Sequence, residues 1–401
     1  MGFKALCLGL LFVSFLSYIY TPMPDNIEES WKLMTLDAIA KTLNIMAECL
    51  EIIGVMRYED FISMIISLDH TPPYSDEHIT VTDTAFVDIP ARLYLPKKKS
   101  KSPRRAVIYF HGGGFCFGSC KQRAFDFLNR WTAKELDAVV VAIDYRLAPQ
   151  HHFPAQFEDG VTAVKFFLQD KILSKYGVDP TRIAVSGDSS GGTLTAAVTQ
   201  QVHNDPEIKH KFKLQALLYP ALQVVDSYSP SHQENEHGII LTRDIAIKLV
   251  SLFYSKDDAL RQAIKKNQHM PLESRHLFKF VNWSILLPEK FRKDHVYTEP
   301  VLGRSAVSLP ALMDHRALPL IANDTYLQHL PRTYILTCQY DVLRDDGIMY
   351  ASRLQNVGVQ VEHDHVEDGI HGALSYMTSP FHLHLGLRIR DMYVSWLDKN
   401  L

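Results

Sequence analysis

RIAVS (182–186) runs straight into GDSSG (187–191), and the reading of this stretch decides the fold. A short β-rich run ends at Ser186, Gly187 and Gly191 bracket Ser189, and a helical pattern opens near Ser190. A G-x-S-x-G match alone is weak, since ordinary Gly and Ser usage produces one in about one chain in seven of this length. Its context raises it. Strand, tight turn and helix, in that order, lift a serine hydroxyl clear of a sheet edge, and glycines permit the close turn. Ser189 is therefore the candidate nucleophile.

Working outward, RAVIYF (105–110), AVVVAI (138–143), LQALLY (214–219), RTYILT (332–337) and VQVEHDH (359–365) are further strand runs. Helical patterns lie between them, over about Gln122–Leu136, Gln156–Tyr176, Asp346–Asn356 and Gly386–Leu397. Strands alternating with helices imply βαβ units and a mostly parallel sheet with helices on both faces. ITVTDTAF (79–86) and IPARLYL (89–95) alternate apolar and polar residues, as in a hairpin. The alternation stops at Pro220 and resumes at Arg332. The interval of about 224–330 reads as helix and loop, a cap inserted over the C-terminal edge of the sheet, and 25–75 also reads as helical and joins it. The chain thus divides into residues 1–24 and an α/β domain over 25–401.

His111-Gly112-Gly113-Gly114 directly follows the strand run ending at Phe110. Three glycines in a row leave backbone N–H groups open to a neighbouring atom, as an oxyanion hole requires. A serine also needs a base, and the base an orienting acid. Asp341, just after RTYILT, and His371, in EDGIHG (367–372) after the next strand run, fall where those groups belong at the sheet's C-terminal edge. Asp345 and Asp346 are rival acids, set deeper toward the next helix. His151-His152 and His363-x-His365 lack Cys or carboxylate partners at ligand spacing, so no metal is expected. Leu249, Leu252, Phe253 and Tyr254 form an apolar stripe in the cap that suits lipophilic esters or cap packing.

The 401 residues carry 42 Lys+Arg against 45 Asp+Glu, with 46% hydrophobic and 22% charged residues. This is an ordinary globular composition, with no basic excess for nucleic acid. The run Lys97, Lys98, Lys99, Lys101, Arg104 and Arg105 has no interleaved aromatics and reads as a solvated loop. Five cysteines, with no CxxC pair, make neither a disulfide framework nor a zinc site. Ala5–Pro24 is uncharged and follows Lys4, at the length where a spanning helix and a cleaved signal meet. Without a small-x-small cleavage site it reads as an uncleaved anchor. Lys4 before it and Asp25, Glu28 and Glu29 after it place the bulk of the chain on the lumenal side. Sequons at Asn282-Trp-Ser and Asn323-Asp-Thr agree with that side. Cleavage would instead give a secreted protein.

HGGGFCFGS (111–119), DYRLAPQHHFPAQFED (144–159), GDSSGG (187–192), CQYDVLRDDG (338–347) and HVEDGIHGA (365–373) together resemble the arylacetamide deacetylase group, in the hormone-sensitive-lipase-like branch of the α/β-hydrolases. The resemblance covers essentially the whole chain. It implies an α/β-hydrolase fold with a helical cap, Ser189 as nucleophile, Asp341 as acid and His371 as base. It also implies oxyanion donors at Gly112, Gly113 and Ser190, and no cofactor. It further implies a disulfide between Cys116 and Cys338, with Cys120 as rival partner, and a type II endoplasmic-reticulum membrane protein. The substrate would be a small lipophilic ester or amide. Three positions depart from the group's usual pattern: Ser190 for Ala, Thr193 for Asn, and Ile370 for Phe. The rival reading is a non-catalytic binding protein that keeps the pocket alone.

The anchor reading is tested by carbonate extraction of membranes with N-terminal sequencing. The chain is expected in the pellet with residues 1–24 intact; release of a shortened chain means a secreted protein.

Overall fold

The computed structural model describes residue 13 and residues 16–304, 309–380 and 382–401. Half of the Ala5–Pro24 segment lies outside these. Among the described residues no helix is long and apolar enough to cross a membrane.

Eight strands form one sheet: β1 (Ile79–Phe86), β2 (Ile89–Pro96), β3 (Arg104–Phe110), β4 (Val139–Ile143), β5 (Val178–Asp188), β6 (Leu214–Leu218), β7 (Arg332–Tyr340) and β8 (Val361–Ile370). Their order is β1-β2-β4-β3-β5-β6-β7-β8. The first two form an antiparallel hairpin that adds antiparallel to β4, and all remaining pairs are parallel. Among the described residues, the α-helices of eight residues or more are α1 (Ser30–Ile52), α2 (Tyr58–Ser67), α3 (Arg123–Glu135), α4 (Ala155–Phe167), α5 (Ser190–Asn204), α6 (Arg243–Tyr254), α7 (Asp258–Lys265), α8 (Arg344–Asn356) and α9 (His384–Asn400).

The central strands are buried on both faces, which is why they read as unbroken apolar runs rather than alternating ones. Pleating divides them between two cores. Ile108, Phe110, Val141 and Val185 join Val164 of α4 and Val198 of α5 on one side. Val107, Tyr109, Val140 and Ala184 join Leu128 of α3 and Tyr393 of α9 on the other. The helix expected across 156–176 is broken, because Gln169 takes an extended backbone. The break turns Ile172 and Leu173 of the following short helix into the core.

Between β6 and β7 the described residues hold helices and short helical turns but no strand. Parallel strands present their C-terminal ends on one edge, so Ser189, Asp341 and His371 follow directly on β5, β7 and β8. The hairpin is tied to the body by Arg92 of β2, which is wholly buried. Its Nε donates to Asp83 Oδ1 of β1 at 2.7 Å and its Nη1 to Asp126 Oδ1 of α3 at 3.0 Å.

Removing one member of a buried ion pair strands the others. Arg92→Met is expected to lower stability by about 3–5 kcal/mol, read by urea denaturation.

Candidate active site

The turn after β5 is too tight for ordinary backbone. Ser189 sits at φ 54° and ψ −123° and caps α5, a conformation that costs a non-glycine residue about 1–3 kcal/mol. It is held from both sides: Ser189 N–H donates to Leu218 O at 2.9 Å, and Thr193 N–H donates back to Ser189 O at 3.2 Å. The strain aims Oγ at the loop following β8. There Ser189 Oγ lies 2.8 Å from His371 Nε2, and His371 Nδ1 lies 2.9 Å from Asp341 Oδ2. Asp341 is fixed in turn, its Oδ1 accepting from Leu343 N–H at 2.7 Å. All three residues are buried.

The rival acids have other partners. Asp345 accepts from Ser231 N–H at 2.6 Å and pairs with Arg344 at 3.0 Å. Asp346 accepts from the N–H groups of Leu222 and Gln223 at 2.9 and 3.2 Å, and burial raises its carboxyl to about 7.

The glycine loop corrects one expectation. Gly112 is not a free donor, because its N–H gives a 2.9 Å hydrogen bond to Asp188 Oδ1, which also accepts from Tyr109 OH at 2.7 Å. The chain then turns through Gly113 (φ 124°) and Gly114 (φ 62°). At Gly113 a Cβ would run into the Phe117 carbonyl. Among the described residues, the N–H groups of Gly113 and Gly114 give no hydrogen bond. Ser190 N–H stands in the first turn of α5, where helical geometry provides no acceptor. Gly113, Gly114 and Ser190 all line the cavity, and their N–H groups are the candidate donor set. His111 is a support: its ring stacks on Tyr145 at 4.4 Å, Tyr145 OH donates to His111 O at 2.6 Å, and burial pushes the imidazole pKa down.

Asp188 and Tyr145 carry no sequence signal beyond their neighbours in the motifs. Burial raises the Asp188 carboxyl to about 6, against the pull of Tyr109, the Gly112 N–H and the nearby His371.

A cavity of about 390 Å³ opens over these groups. Leu43 of α1, Ile62, Ile65 and Ile66 of α2, and Leu249 and Phe253 of α6 form much of its apolar wall. Of the cap stripe, Leu249, Phe253 and Tyr254 line it, while Leu252 packs outside. Phe253 stacks on Phe115 at 4.1 Å. Thr193 bonds the Ala221 carbonyl, and Ile370 is buried beside His371.

The disulfide expectation is overturned. Cys116, Cys120 and Cys338 are free thiols. Cys116 packs with Tyr58, Phe61 and Phe117 under the cap, whereas Cys338 lies in the sheet core among Tyr334, Val366 and Ile370. Two separate clusters hold them, and burial raises both thiol pKa values. His152 Nδ1 lies 2.9 Å from Leu252 O, and His363 and His365 meet Thr337 Oγ1 at 2.8 and 2.9 Å, with His365 Nε2 also 3.7 Å from Glu367 Oε2. No cluster of metal-ligating side chains occurs among the described residues. Asn323 is exposed, and Asn282 is half-buried, accepting from Ser284 Oγ at 2.6 Å.

A protein family described as an alpha/beta hydrolase fold matches residues 107–268 and 245–375. The chain is 76% identical to arylacetamide deacetylase-like 2 of Homo sapiens over 401 residues, all of both chains. It is 52% identical to arylacetamide deacetylase of Mus musculus over 386 residues, 96% of each. Among solved structures, the hyperthermophilic esterase of the archaeon Pyrobaculum calidifontis aligns with a TM-score of 0.65 at 25% identity, over 94% of this chain and 99% of that one.

The Asp188 shift has a pH signature. The folded state holds the proton to about pH 6 and the unfolded chain only to about 3.8, so rising pH costs stability across that window, by about 3 kcal/mol. Asp188→Asn cannot ionise but still accepts both hydrogen bonds. Its unfolding free energy is expected to fall less between about pH 4 and about pH 7 in urea titrations.

Proposed function

Because the chain belongs to the alpha/beta hydrolase fold family, and within it to the arylacetamide deacetylase group, we propose that it is a serine hydrolase of carboxylic esters. The observation that carries this reading is the relay of 2.8 and 2.9 Å from Ser189 Oγ through His371 to Asp341, at the floor of an apolar cavity. His371 Nε2 takes the Ser189 proton as Oγ attacks the ester carbonyl carbon. Asp341 holds the Nδ1–H tautomer and stabilises the imidazolium. The N–H groups of Gly113, Gly114 and Ser190 receive the developing oxyanion, each worth about 10²–10³ in rate. The imidazolium returns its proton to the leaving alcohol. Water, deprotonated by His371, then attacks the acyl-enzyme, and the imidazolium returns that proton to Ser189 Oγ as the Oγ–acyl bond breaks and the acid leaves. No step calls on a cofactor or metal.

The apolar wall and its enclosed volume favour lipophilic esters or acetylated compounds, with amides as a slower class because the amine is a poorer leaving group. The uncharged Ala5–Pro24 segment supports an endoplasmic-reticulum anchor, with residues 25–401 lumenal, a cap built from about 25–75 and 224–330, and glycans at Asn282 and Asn323.

Fluorophosphonate labelling and p-nitrophenyl ester turnover test the assignment. Ser189→Ala is expected to abolish labelling and to lower turnover by about 10⁴-fold or more. Folded wild-type protein that neither labels nor turns over overturns the enzyme reading and leaves a binding role.

A further inference from the structure

The helix α1 has two apolar faces where a surface helix ordinarily has one. Its inner face buries Leu33, Leu36 and Ala47 and lends Ala40, Leu43 and Asn44 to the cavity. On the outer side Trp31, Thr35, Ile39, Thr42, Met46, Cys49 and Ile53 recur at spacings of three and four, one stripe of a helix. Trp31 is 67%, Ile39 39%, Met46 47% and Ile53 68% exposed. No charged residue interrupts the stripe. Those that α1 carries are paired: Lys32, whose Nζ also lies 6.0 Å from the Trp31 ring centre, with Glu29, Lys41 with Asp37, and Glu48 and Glu51 facing Lys248 of α6. The imbalance extends beyond the helix. Thirteen of the twenty exposed large apolar side chains among the described residues fall within residues 13–74.

We propose that the outer face of α1, from Trp31 to Ile53, lies along the surface of a lipid bilayer. At 1.5 Å per residue it is a strip of about 35 Å. It begins a few residues after the uncharged Ala5–Pro24 segment, on which the anchored reading rests. Tyr18, Tyr20 and Trp31, the residues at that junction, are exposed aromatics with a polar tip, which suit the headgroup layer. The stripe has no charge to register a protein partner, which leaves a fluid apolar layer as the complement it fits. Since the opposite face of the same helix walls the cavity, an ester dissolved in the bilayer would meet the enzyme across one helix thickness.

The test uses the full chain reconstituted into phosphatidylcholine vesicles, with and without bromine near the top of the acyl chains. Bromine is expected to quench the emission component that Trp31→Phe removes. The decisive reporter is at the far end: Trp31→Phe with Ile53→Trp is also expected to be quenched. An unquenched reporter there overturns the proposal, even where carbonate extraction leaves the chain in the pellet and so upholds the anchor. Quenching at both ends in a chain that carbonate releases upholds the docked helix and overturns the anchor. In that reporter background, Ile39→Glu with Met46→Glu is expected to abolish the quenching while fluorophosphonate labelling, the check on folding, persists. Quenching that survives both glutamates overturns the proposal. So does a reporter unquenched in a chain that pairs in detergent, which assigns the face to a second copy.

Discussion

The turn at Ser189 can exist only because the end of β3 and the start of α5 touch. A Cβ at Gly191 would overlap the carbonyl oxygens of Phe110 and His111, and one at Gly187 would lie 2.7 Å from the Phe110 carbonyl. That contact of bare backbone sets the distance between the nucleophile and the glycine loop, since His111 opens the loop and Ser190 opens the helix. The positive φ at Ser189 is sustained by everything packed around it, which is the usual circumstance in which a protein retains local strain.

Burial governs the electrostatics of the same region. Asp188 and Asp346 are both enclosed, and both carboxyls are raised, yet each accepts hydrogen bonds from groups other than the histidine: Asp188 from Tyr109 and Gly112, Asp346 from Leu222 and Gln223. Neither is placed to face the histidine as an acid partner. Asp341 is, because one oxygen is used by Leu343 N–H and the other remains for the imidazole. The assignment among three neighbouring aspartates follows from where each spends its lone pairs.

Most of the architecture was legible in the sequence because the strands are short apolar runs bounded by turn residues, and their helical crossovers are amphipathic. Strand patterns at 105–110, 214–219 and 332–337 correspond to β3, β6 and β7. The meeting of Ser189, Asp341 and His371 was legible for the same reason, since each follows a strand and parallel strands end on one edge. Three things were not. Gly112 was read as a donor because sequence cannot show that the Asp188 carboxylate reaches its N–H. The pairing of Cys116 with Cys338 comes from the family resemblance, and sequence cannot show that the two belong to different packing clusters. The shape of the cavity depends on how α1, α2 and α6 settle on one another, and periodicity gives a helix's faces but not its neighbours.

The excursion between β6 and β7 has a consequence for the order of events in a growing chain. Gln215 and Thr333, which face each other across those strands, are 118 residues apart, and Ser189 and His371 are 182 apart. Loop closure over such spans is slow relative to local helix and hairpin formation. The nucleophile and its elbow are made from local sequence, while the base arrives only when nearly all of the polypeptide has been synthesised. Reactivity is thereby postponed to the completed fold, and a chain stalled before β8 carries a serine with nothing to deprotonate it.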